Sequence, residues 1–171
     1  MAIPDDLVQD IFQPDGRIRL EVLTEPALDA LRATLAQARE TRWDSVRSPH
    51  VFMGLLAAPD EGVLNWVDRL GTDLTNILGQ FQELFRQEGV DNVPALVLSR
   101  EFLSDKAIRL LREAHQRATE YQRSRITPMD LLISLLTTQN SIVAECFERI
   151  GVTAAKLTEL AVVAEHYART T

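Results

Sequence analysis

The chain says nearly the same thing twice. Leu23, Ala27, Leu31, Arg32, Ala38, Glu40, Leu55, Leu56, Val63, Arg69 and Gly71 recur as Leu103, Ala107, Leu111, Arg112, Ala118, Glu120, Leu135, Leu136, Val143, Arg149 and Gly151, at a constant offset of 80 positions and without a gap. A repeat of that length is long enough for several helices. One building block has therefore been duplicated, and the fold is expected to have two lobes related by a pseudo-twofold axis.

Composition narrows the class of partner. With 46% apolar residues in 171, the chain can bury a substantial core. Its 18 basic and 25 acidic residues leave a net charge of −7, which works against a nucleic-acid or anionic-membrane surface. Cys146 is the single cysteine, so no internal disulfide forms, and no Cys/His cluster has metal-ligand spacing. Neither a metal nor a cofactor is expected. Residues 1–12 lack a basic start followed by an apolar run, and no apolar stretch reaches membrane-spanning length. The chain reads as cytoplasmic.

Periodicity then places the elements. Asp5 to Phe12 reads as a short amphipathic lid helix, closed by the turn Pro14-Asp15-Gly16. Arg17 to Leu23 alternates polar and apolar residues as a half-buried strand does, with Ala95 to Leu98 as its expected partner. Thr24 is placed to cap a helix carrying Leu28, Leu31, Leu35 and Ala38 on one face. Ser48-Pro49 and Thr127-Pro128 each signal the start of a helix. The helices that follow, with Val51 to Leu56 in one copy and Leu131 to Leu136 in the other, are apolar nearly all round and belong at the centre of a bundle. Asp60 and Asn140 are the expected caps of a third helix, stopped by Gly71 and Gly151 in the left-handed region. A fourth helix runs through Leu74, Ile77, Leu78, Phe81 and Phe85 in copy one and through Leu157, Leu160, Ala161 and Ala164 in copy two. The expected fold class is all-α, two tandem four-helix repeats, with a minor extended or two-stranded element before each.

Several residues stand out as candidate contacts. Trp43 lies in the polar connection Arg42 to Arg47, where no helical stripe buries it, and a tryptophan beside arginines is a common binding anchor. The alternative is that it folds back over the end of its own helix. Tyr121, Arg123 and Arg125 occupy the matching stretch of repeat two. His50, with Pro49 before it, opens a buried helix, where an exposed imidazole could meet a partner or the ring could simply fill out the first turn. Met129 and Asp130 are their counterparts. His115 falls on an apolar face in place of Leu35 and reads as a core or boundary histidine. Cys146 stands where copy one has Trp66 and has no basic neighbour to activate it. His50, His115 and His166 come with no Gly-flanked serine or other nucleophile motif, so the chain reads as non-catalytic. Asp29, Glu40, Asp44, Glu113 and Glu120 read as solvated faces.

Two four-helix repeats, each with a Ser/Thr-Pro start, a run ending in two leucines and a Leu/Ile-Gly stop, resemble the Clp N-terminal domain, the module at the front of Clp-type protein-unfolding chaperones. The resemblance spans roughly residues 24–164. It implies an N-terminal extension over 1–23, repeat one over 24–88, a linker over 89–98 and repeat two over 99–171. It also implies a module that binds adaptor proteins or exposed segments of substrate polypeptides for an ATP-driven ring. Free-standing relatives that dock on a Clp protease and influence its assembly supply the alternative. The family's Glu-His at the start of the second helix is replaced by Pro49-His50 and Met129-Asp130. The acidic pair associated in some members with phosphoarginine binding is thus missing. No Gly-rich stretch ends in Gly-Lys-Ser/Thr within the 171 residues, the nearest being Gly151 to Lys156. The protein-binding residues expected from this reading are Trp43, Pro49, His50, Tyr121, Met129 and Asp130.

Overall fold

The structure is a computed structural model that describes residues 10–90 and 93–170, with side chains through 168. The expected helix over Asp5 to Phe12 lies mostly outside the described residues. Its last two members, Ile11 and Phe12, are buried in the core, and Phe12 bridges Ile18 across the Pro14-Asp15-Gly16 turn. Eight α-helices follow. In repeat one they are α1 (Glu25–Glu40), α2 (Ser48–Ala57), α3 (Glu61–Arg69) and α4 (Leu74–Phe85). In repeat two they are α5 (Asp105–Glu120), α6 (Pro128–Thr137), α7 (Ile142–Glu148) and α8 (Ala154–Thr170). The fold is all-α, and none of the described helices is long and apolar enough to cross a membrane.

The central position expected for α2 and α6 is observed. Residues 49–56 and 128–136 are buried without interruption, so these helices have no solvent face. Close approach makes this possible. A Cβ added to Gly54 would lie 2.5 Å from the Ala30 carbonyl and 2.6 Å from the Thr34 nitrogen, so α1 and α2 cross at near backbone contact. An aromatic cluster seals the two repeats: Phe52 of α2 meets Trp66 of α3, Phe81 of α4 and Phe147 of α7, with ring centroids 4.7 to 6.0 Å apart. The Trp66 indole donates to the Leu157 carbonyl, which fixes α8 against α3.

The alternating segment Arg17 to Leu23 does not become a strand. Ile18 donates to the Leu98 carbonyl, and Arg17 forms an isolated antiparallel bridge with Ser99. Leu20–Val22 then tightens into a 3-10 turn that leaves Leu20 54% exposed. Arg100–Phe102 makes the same turn 80 positions later. The backbone there is used across the repeats instead. Thr24 donates to Ile126 and Ile126 to Val22, while Val46 donates to Phe102 and Ser104 to Val46. The result is two parallel bridges, Leu23 with Ile126 and Val46 with Leu103, in which each repeat's lead-in grips the other repeat's mid-connection.

Helix ends follow the duplication with two departures. Thr24, Ser104, Asp60 and Asp73 cap as side-chain acceptors, and Gly71 and Gly151 take φ of +74° and +91°. The first departure is at α7. Ser141, not Asn140, accepts from Ala144, and Asn140 turns into the left-handed region at φ +59°. The second is at α2, where Ser48 is already helical and its hydroxyl caps nothing. The imidazole of His50 takes over, its Nδ1 accepting from the Arg47 amide.

Candidate functional site

The expected contact residues resolve into two clusters, each built inside its own repeat. Both form where the first helix of a repeat ends. Arg42 and Gln122 sit at φ +65° and +60°, and the amides of Trp43 and Arg123 reach back to the carbonyls of Ala38 and Ala118. These are Schellman closures made without glycine. They throw residues 43 and 123 back over the ends of α1 and α5.

In repeat one the cluster is neutral and aromatic. The Trp43 indole donates to the Phe85 carbonyl at the end of α4, its ring lies edge-on to His50 at 5.5 Å, and the Arg47 guanidinium covers its other side at 4.9 Å. Trp43 is thereby half-buried, folded over its own helix end. His50 is 1% exposed, so it is not a free surface imidazole and instead fills out the first turn of its helix. The Arg47 N–H fixes Nδ1 as an acceptor, so Nε2 carries the proton and donates to Thr41 Oγ1 at 3.1 Å, and Thr41 donates in turn to the Gln37 carbonyl at 2.8 Å. Burial, with the Arg47 charge adding to it, lowers the His50 pKa from 6.5 to about 4. The ring is neutral at ordinary pH. Pro49 is buried beside it and makes no surface.

In repeat two the same four positions carry charge. Asp130, 0% exposed, receives two hydrogen bonds from Arg123 at 2.5 and 2.7 Å, one from Arg117 at 2.6 Å, and two from the amide and hydroxyl of Thr127. Glu165 of α8 holds the other side of Arg117 in a fork of two 3.0 Å bonds. Burial alone would raise the Asp130 carboxyl; the hydrogen bonds from Arg123, Thr127 and Arg117 outweigh it and hold the carboxyl below its ordinary value. Two arginines and two carboxylates cancel. Tyr121, 55% exposed, lies over the cluster with the guanidiniums of Arg117 and Arg123 against its ring. Asp130 and Met129 are therefore interior residues, and of the six expected contacts only Tyr121 is exposed, with Trp43 partly so.

A small pocket of about 310 Å³ opens between the repeats at this end, with Asp60, Glu61 and Gly62 on one side and Arg123, Met129 and Glu165 on the other. Met129 fills the notch left by Gly62, where an added Cβ would lie 2.6 Å from its Cγ. Burial pushes the Asp60 carboxyl up against the opposing pull of the Val63 amide that it caps. Elsewhere, His115 is half-buried on α5. Burial pushes the Cys146 thiol up, with Arg149 pulling weakly the other way, so it is not an activated nucleophile. Among the described residues no group of His, Cys, Asp and Glu is arranged to hold a metal. Sequence reasoning missed Gln37, Phe85, Arg117 and Glu165 as members of the two clusters. The offset of 80 applied to Trp43 and His50 recovers Arg123 and Asp130 but cannot add partners that come from α1, α4, α5 and α8.

Two helical repeats stitched crosswise around paired central helices make a fold shared with the solved N-terminal domains of Clp-type chaperones. Residues 102–168, the second repeat, match the family model described as the Clp repeat (R) N-terminal domain. The solved N-terminal domain of the caseinolytic protease associated chaperone ClpD from Arabidopsis thaliana superposes with a TM-score of 0.65 at 20% identity, covering 86% of this chain and 97% of that one. The Hsp104 N-terminal domain from Candida albicans superposes at 0.66 and 15% identity, covering 83% and 90%. A ClpV N-domain solved in complex with a VipB peptide superposes at 0.61 and 19% identity, covering 87% and 93%. No curated protein matches the sequence.

Proposed function

We propose that this chain is a non-catalytic protein-binding module that recognises segments of adaptor or substrate polypeptides for a Clp-type ATP-dependent chaperone or protease. The observation that carries this reading is the likeness in fold to N-domains, one of which, covering 87% of this chain, was solved in complex with a peptide. The site chemistry agrees with it. His50 is sealed and neutral, Cys146 is unactivated, and the charges of repeat two are spent on each other, so the surface offers docking rather than bond-making. Tyr121 and the open edge of Trp43 are the anchors in this proposal, and Pro49, His50, Met129 and Asp130 hold them in place from beneath.

The test is a peptide array probed with the folded chain, followed by titration of the hits with the 15N-labelled protein. The reading expects micromolar binding with amide shifts mapping to one connected surface. Binding to an assembled Clp ring with no affinity for peptides would assign the accessory role instead. Absence of both would overturn the proposal.

A further inference from the structure

Alongside α1 runs an open groove of about 810 Å³ that neither cluster uses. Its floor is apolar, made by Leu35 of α1 with Val93 and Leu96 of the segment leading to repeat two. Its rim is cationic. Arg39 in the last turn of α1, Arg42 at the helix stop and Arg86 just beyond α4 face it, against Glu40 as the one acid among its described lining residues. These cations are little engaged. Arg42 gives one bond to the Val90 carbonyl, Arg86 stands 3.9 Å from Glu40 with both partners exposed, and Arg39 has no ion-pair partner among the described residues. In repeat two the positions of Leu35, Arg39, Arg42 and Arg86 are His115, Thr119, Gln122 and His166. The groove therefore belongs to repeat one alone, and it is cationic on a chain whose net charge is −7.

We infer that this groove is a docking site for an acidic, apolar polypeptide segment, one that lays side chains such as leucine on Leu35 and Leu96 while carboxylates meet Arg39, Arg42 and Arg86. The inference deepens the protein-binding reading above and rests on it. Charge complementarity selects the occupant. Guanidiniums fork onto carboxylates, and the rim offers three of them, of which Arg39 has no ion-pair partner among the described residues and Arg86 only a long, exposed one. The apolar floor selects a polypeptide over a bare anion, since it contributes only when hydrocarbon covers it.

The test uses three fluorescein-labelled synthetic peptides of matched leucine content, bearing glutamate, glutamine or lysine at the remaining positions, with binding read by anisotropy. The glutamate peptide is expected to bind at least about tenfold tighter than the glutamine peptide and to weaken as salt is raised, and the lysine peptide to bind least. The double variant Arg39→Glu/Arg86→Glu, whose side chains are exposed, should lose about tenfold or more for the glutamate peptide. Arg39→Lys/Arg86→Lys should retain most of the binding, and Arg109→Glu on the far helix α5 should change nothing. Equal binding of the three peptides, or an unchanged Kd in the charge-reversal variant, overturns the inference while leaving the protein-binding reading standing. Self-association that disappears in Arg39→Glu/Arg86→Glu also overturns it, because the groove would then be taking the chain's own acidic surface. Failure of every peptide, whatever its charge, overturns both.

Discussion

Gln37, Trp43, His50 and Phe85 in repeat one occupy the positions of Arg117, Arg123, Asp130 and Glu165 in repeat two. The backbones around them are alike down to the left-handed residue at 42 and 122. The chemistry is not. One quartet joins the helix ends through an indole bonded to a carbonyl and a neutral imidazole bonded at both nitrogens; the other does the same job with two arginines shared between two carboxylates. Each quartet is neutral as a whole. A buried joint thus needs its charge balanced and nearly all of its polar atoms satisfied, Arg123 Nε being the exception here, and the kind of group that achieves this is open.

The comparison is broken most severely by Asp130→Ala. It leaves Arg117 and Arg123 facing Glu165 alone in a desolvated site, so the expected loss is about 4 kcal/mol in urea denaturation. His50→Ala at the matching position strands only neutral donors and acceptors and should cost about 2 kcal/mol. A larger loss at His50 than at Asp130 would show that repeat two's charges are not the stronger joint.

Acid separates the two joints next. His50 has a folded pKa of about 4 against 6.5 in the unfolded chain, so the unfolded state binds the extra proton first. Its contribution is complete above pH 6.5 and is lost as pH falls toward 4, amounting to about 3 kcal/mol. The Asp130 carboxyl is lowered as well, from an ordinary value of 3.8, so its contribution persists through that window and fades only at lower pH. Denaturation midpoints measured from pH 7 to 4 should fall in the wild type and flatten in His50→Gln, with the imidazole 15N shifts reporting the neutral Nε2–H form throughout pH 5 to 8.

Smaller changes refine the picture. Trp43→Phe removes the indole bond to Phe85 while keeping the ring over His50, and the expected cost is about 1 kcal/mol by thermal melt. Gln122→Gly relieves a side chain held at φ +60°, and the net gain should be about 0.5 kcal/mol after the added freedom of glycine in the unfolded chain is subtracted. A loss there would mean that the Gln122 side chain makes a contact worth more than the strain.

Much of this architecture is legible in the residues. The offset of 80, the stripes of α1 and α5, the all-apolar α2 and α6 and the glycine stops are local signals, and the helices follow them. What escapes is what depends on distant partners. Arg17 to Leu23 has a strand's alternation, yet its partners, Phe12, Ser99 and Ile126, pair only at single residues, so Leu20 turns outward instead. Sequence leaves His50 open between a surface contact and a filler of the first turn, because nothing beside it shows that Thr41 and Trp43 will close over it. Asp130 and Arg123 read as candidate contacts and Arg117 and Glu165 are not singled out at all, since the four meet only when α5, α6 and α8 do. The cap of α7 moved by a single position because two good capping residues, Asn140 and Ser141, stand side by side.

The crosswise bridges between Leu23 and Ile126 and between Val46 and Leu103 have a further consequence. Neither half owns all of its own hydrogen-bond acceptors, so a fragment ending after α4 would present raw backbone at Val46, and one beginning at Arg100 would do so at Ile126. Such fragments should be poor folders apart and good partners when mixed, reassembling as a non-covalent pair.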